Sequence, residues 1–123
     1  MKLRTLLLSG ATLASLPFGV CAQQVSCPDA ARTFFEFQVT RPARWVSDSL
    51  ALHPVPKSTA PQSVVQFIVD TAGVPDMTTF KFLLRRDSLS VEETRRFAAT
   101  WRFTPSVLNG CRVRQLVQTP VGK

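Results

Sequence analysis

The chain holds a single imidazole. His53 is the only histidine among 123 residues, and Leu52 and Pro54 flank it with no nucleophile or acid at a fixed spacing. Ser/His/Asp and Cys/His mechanisms need a base oriented by a third group, so His53 reads as a packing or surface side chain. The carboxylates offer no better constellation. Glu92 and Glu93 are adjacent on a predicted helix and diverge, which leaves no pair to share acid and base duties. Asp70, Asp76 and Asp87 fall at strand ends, where short carboxylates bond nearby backbone N–H groups. No glycine-rich loop precedes a helix, so no phosphate cradle is offered either. The inventory predicts a protein that is not an enzyme, with no catalytic residues and no cofactor.

Cysteine chemistry depends on what happens at the N-terminus. Met1 to Ala22 carries a basic start at Lys2 and Arg4, then an apolar stretch from Leu6 to Val20 interrupted by Ser9, Gly10, Ser15, Pro17 and Gly19. Val20-Cys21-Ala22 follows, where signal peptidase reads small residues. The pattern predicts a signal peptide over 1–22, cleaved after Ala22, and a periplasmic mature protein. The alternative is an uncleaved inner-membrane anchor, which needs roughly 20 predominantly apolar residues; this stretch is shorter and is broken by Pro17. Cleavage leaves Cys27 and Cys111, an even count in an oxidising compartment, which predicts a disulfide, with two free thiols as the alternative. Two cysteines so far apart, with one histidine in the chain, make a poor zinc site, and no metal is expected.

A chain of this length has room for one domain, and 45% hydrophobic against 19% charged residues describes a globular rather than a disordered one. The net charge is +7. Loss of Lys2 and Arg4 with the signal peptide lowers it to +5, a modest excess. Lys81, Arg85, Arg86, Arg95, Arg96, Arg102, Arg112 and Arg114 fall on neighbouring predicted elements, but export argues against nucleic acid, and a solvated basic face is the simpler reading.

The elements that must carry any site follow from periodicity. Phe34 to Thr40 alternates and predicts a strand. Arg41 to Pro61 contains Pro42, Pro54, Pro56 and Pro61 without a period, which predicts an irregular arm in which Trp45, Leu50 and Leu52 are available for packing. Val64, Val65, Phe67, Ile68 and Val69 make Gln62 to Asp70 the clearest strand, covered on much of both faces. The turn at Gly73 returns the chain as a second strand over Asp76 to Leu84. Ser90 and Glu93 have the spacing of a capping box, which predicts a helix from Val91 to Trp101. Asn109-Gly110 is a turn signal, and Cys111 to Pro120 alternates as the last strand. Phe67, Phe80, Phe82, Trp101 and Val113 lie on the apolar faces and form the predicted core.

Three stretches of this pattern resemble one family. Val64 to Gly73 is similar to the hydrophobic strand and Asp-x-x-Gly turn that opens the C-terminal domain of TonB, the bacterial energy transducer. Trp101-Arg102-Phe103-Thr104-Pro105 resembles that family's Trp-Arg-Phe-x-Pro segment, and Asn109-Gly110 with Arg112 to Gln118 and Pro120 resembles its closing strand. The resemblance spans Pro61 to Pro120, with Phe35 to Ala43 similar to the lead-in of periplasmic members. It departs at Ser106, where the family usually has Ala. The nine prolines are also scattered rather than gathered in the rod that spaces a full transducer from its membrane anchor.

What the resemblance implies is an α+β fold, β-β-α-β, with a small antiparallel sheet of three to four strands and one packed helix. The domain would occupy 61–123, after an N-terminal extension over 23–60. The implied function is protein binding in the cell envelope. In the family, a short segment of an outer-membrane receptor adds as a strand to the sheet edge. The expected partner-binding residues are those of the last strand, Arg112, Val113, Arg114, Gln115, Leu116, Val117 and Gln118, with one side free unless the Phe34 to Thr40 strand covers it. The alternative is a structural domain that pairs with itself as a homodimer and has no transport role. Neither nucleic acid nor a small-molecule substrate is expected.

Overall fold

The computed structural model describes residues 26–46, 52–58, 62–86 and 89–122. Its centre is the hairpin expected from the apolar run, with β4 over Ser63–Val69 and β5 over Pro75–Leu84. Alternation along β4 buries Val65, Phe67 and Val69 completely on one face. Asp70 makes the turn: its Oδ1 accepts from the N–H groups of Ala72 and Val74, both at 2.9 Å. Gly73, at φ +84°, lies against the Phe103 carbonyl where a Cβ would collide, so glycine is required there twice over. The last strand, β8 over Cys111–Gly122, runs antiparallel to β4 from Val121 beside Ser63 to Gln115 beside Val69. β4 is thus flanked by β5 on one side and β8 on the other.

The helix α1 spans Val91–Ala98, with Ser90 Oγ accepting from the Glu93 N–H at 3.2 Å. It stops short of the expected end at Trp101. Thr100 and Trp101 donate to the carbonyls of Phe97 and Ala98, three residues back, and this tighter winding closes the helix. It also turns Trp101 into the core, where the ring is fully buried 5.8 Å from Phe67. Of the predicted core, Phe67, Phe80, Trp101 and Val113 are buried and Phe82 is partly buried. Burying a large aromatic side chain removes 150–250 Å² from water, so Phe67 and Trp101 dominate the packing between sheet and helix.

The N-terminal part differs most from expectation. Instead of a strand over Phe34 to Thr40, only β1, Thr33–Phe34, pairs, and a 3-10 turn over Glu36–Gln38 follows. The Gln38 side chain accepts from the Phe35 N–H at 2.8 Å, a local bond that competes with extension. The arm after it is not irregular throughout. It forms β2 over Arg44–Trp45 and β3 over His53–Pro54, and Leu52 is buried; Leu50 lies outside the described residues.

Beyond α1, β6 covers Phe103–Thr104 and pairs with β2, and β7 covers Ser106–Leu108 and pairs with β8. The β7–β8 turn is the expected Asn109-Gly110, both residues at positive φ as this turn type requires. The class is α+β, with one helix. The sheet is mixed, because β1 is parallel to β8, and it holds more strands than three to four.

Candidate functional site

A strand residue has two flanks, and a partner on each makes it interior to the sheet. Gln115 faces Val69 of β4 on one side and Phe34 of β1 on the other; Val121 faces Ser63 of β4 and Pro54 of β3. β1 and β3 therefore share the flank of β8 opposite β4. The Val55 N–H extends this cover by donating to the Pro120 carbonyl at 3.0 Å. The last strand is consequently not an open edge along its length. Between the two short strands, only Leu116 to Thr119 lack a strand on that flank among the described residues.

The arm that closes this flank is fixed by bonds far apart in sequence. Gln115 is only 2% exposed, and its Oε1 accepts from the Ala43 N–H at 2.8 Å. Trp101 Nε1 donates to the Leu52 carbonyl at 3.1 Å, so the core's largest side chain also holds the arm. Cys27 and Cys111 form the expected disulfide, with Cα atoms 5.7 Å apart, tying the start of the arm to the start of β8.

The seven residues expected to bind a partner thus divide. Val113 and Gln115 are buried, Arg112 and Gln118 are exposed, and Arg114, Leu116 and Val117 are intermediate. Arg114 reaches Asp76 at 3.5 Å, and Gln118 Nε2 donates to Gln66 Oε1 at 2.7 Å across the strands.

The other edge is different. β5 is the terminal strand of the sheet, and among the described residues no strand lies on its outer flank. It is interrupted twice, because the register with β4 shifts between Gln66 and Ile68 near the turn and again between Val64 and Val65, opposite Leu84 and Phe82. Asp76 organises the irregular stretch near the turn, accepting from the Thr78 hydroxyl at 2.7 Å and the Thr78 N–H at 3.1 Å. The two Thr78 bonds, hydroxyl first, hold its carboxyl below the usual carboxylate range; burial opposes them, and the Arg114 charge adds a lesser lowering. Phe80 to Leu84 remain as the extended part of the edge. Lys81 is exposed there, with Leu83 at 45% and Leu84 at 43%.

The sequence pattern gives Asp76 to Leu84 a core face, through Phe80 and Phe82, and says nothing of its flank. A signal for the flank lies in the neighbouring strand. A nearly continuous apolar run marks Val64 to Val69 as the central strand, and that leaves Asp76 to Leu84 at one border of the sheet.

His53 stacks on Trp45 with centroids 5.1 Å apart, and its Nδ1 lies 2.9 Å from the Pro54 carbonyl oxygen. Among the described residues there is no cluster of metal-ligating side chains, and no helix is long and apolar enough to cross a membrane. The signal-peptide segment lies outside those residues. No family model, curated protein or solved structure matches the chain.

Proposed function

We propose that the chain is a periplasmic protein-binding module similar to the TonB C-terminal domain, and that it engages an envelope protein by strand addition at the outer flank of β5. The observation that carries this reading is the asymmetry of the sheet. The arm occupies both ends of the β8 flank, while among the described residues no strand pairs the outer flank of β5 along Phe80 to Leu84, where backbone N–H and C=O groups point outward. Such groups are a template for an incoming strand. Export fits the Cys27–Cys111 bridge, since disulfides persist in oxidising compartments. Neither catalysis nor energy-coupled transport is part of the proposal.

Self-association through the same edge is the second reading. The exposed Leu83 and Leu84 favour it, whereas Lys81, Arg85 and Arg86 repel a second copy. A photo-reactive amino acid placed at Lys81, and separately at Arg112, tests both readings in cells. The proposal expects an adduct with an envelope protein from position 81 and none from position 112. An adduct from position 112 alone returns the site to the last strand, and an adduct of twice the chain mass from position 81 supports the homodimer.

A further inference from the structure

The face of the sheet turned away from Trp101 is only half covered. Val64, Ile68 and Leu116 alternate with the fully buried residues of their strands and are themselves half-buried. The apolar run over Val64 to Val69 predicted cover on both faces; among the described residues only one face has it in full. An open groove of about 710 Å³ lies here, floored by Val64, Leu116 and Pro120 and bordered by Leu84. Phe35 and Phe37 form its far wall. They stack at 5.5 Å, and they are 50% and 84% exposed, a large apolar area to leave in water.

The chemistry of the rim selects the occupant. Among the described residues that line the groove, Lys57 and Arg86 are the cations and Glu36 the carboxylate, and the ion pair found among the described residues, Arg114–Asp76, uses neither cation. A second copy brings the same excess of positive charge to the same place. A flat bilayer would desolvate the Gln66–Gln118 amide pair on this face without bonding it. An extended peptide supplies main-chain partners to those amides, apolar side chains to the floor and carboxylates to the rim.

We infer that this groove binds an extended protein segment in which apolar and acidic residues alternate, with the apolar side chains between Val64 and Leu116 and a carboxylate on Arg86 or Lys57. The inference rests on the reading of the chain as a protein-binding module, and it names the chemistry of the partner and a surface beside the edge.

The test uses isotope-labelled protein with its disulfide intact. It is titrated with a short peptide alternating valine and glutamate, with the same peptide carrying lysine for glutamate, and with phosphatidylglycerol vesicles. The methyl resonances of Val64, Leu84 and Leu116 should shift with the glutamate peptide. Affinity should fall by about tenfold or more with the lysine peptide and in Arg86→Glu. Equal shifts from both peptides, shifts with vesicles alone, or no shift at these methyls would each overturn the inference. Arg86→Glu is also examined for the adduct at position 81 in cells. If that adduct persists while the groove methyls stay silent, strand addition stands without the groove; if adduct and shifts are both absent in the unmodified chain, the module reading itself has failed.

Discussion

The two borders of this sheet are built from the same backbone chemistry and reach opposite ends. On the β8 side, two two-residue strands, a buried glutamine, the Trp101 indole and a disulfide hold the N-terminal arm against the flank. On the β5 side no strand arrives among the described residues, and the strand carries a lysine and irregular stretches, the devices by which exposed edges resist indiscriminate pairing. Closure depends on contacts spanning 49 to 84 residues of sequence, whereas the irregular stretch of the open edge combines bonds between residues two or three apart with the Arg114–Asp76 contact, 38 residues apart. An edge can thus be closed by distant segments or modulated locally, and only the second leaves it available to a partner.

The comparison can be broken from its closed side first. Trp101→Ala removes both the core ring and the bond to Leu52, and should cost about 3 to 5 kcal/mol in urea unfolding. A loss under ~1 kcal/mol would mean that the ring neither fills the core nor holds the arm. Replacing Cys27 and Cys111 together by Ser should cost up to about 4.5 kcal/mol, the chain-entropy value for the 84-residue separation. It should speed exchange on β8 by more than the global loss of stability speeds it on β5; equal acceleration of both strands would show that the bridge does not act on one flank.

Gln115→Leu keeps the volume but leaves the Ala43 N–H without its acceptor, for an expected loss of about 1 to 3 kcal/mol. No loss would indicate that water or another acceptor replaces it.

On the open side the expected effect is smallest. Asp76 has a folded pKa below its unfolded value, so the folded state binds fewer protons. Its contribution is complete above the unfolded pKa and disappears as pH falls through the depressed folded value. Between neutral pH and about pH 3 the urea midpoint of the unmodified protein should therefore fall slightly more than that of Asp76→Asn. Identical profiles would remove Asp76 as an organiser of β5.

Much of this was legible in the residues. Val64 to Val69, the Asp70 and Gly73 turn, the Ser90 cap and Asn109-Gly110 each depend on local chemistry, and each formed where the sequence placed it. The Cys27–Cys111 pairing was expected for the two cysteines that follow the predicted cleavage after Ala22. What stayed illegible was non-local. The bonds from Ala43 to Gln115 and from Leu52 to Trp101 join a proline-containing stretch without periodicity to buried sites, and no pattern within Arg41 to Pro61 announces them. Phe35 and Phe37 misled for a related reason, since alternation suggests a buried strand face but cannot say that a 3-10 turn will lift both rings into solvent.

The central claim, one border covered at both ends by the arm and one that no described strand covers, is tested most directly by amide hydrogen exchange on the oxidised protein. A strand paired on one side protects alternate amides, and a strand paired on both protects all of them. The account predicts slow exchange on both alternating sets at Arg114 and Gln115, and one slow and one fast set from Phe80 to Leu84. Uniformly slow amides along Phe80 to Leu84, together with a fast alternate set at Arg114 and Gln115, would reverse the two borders and contradict it.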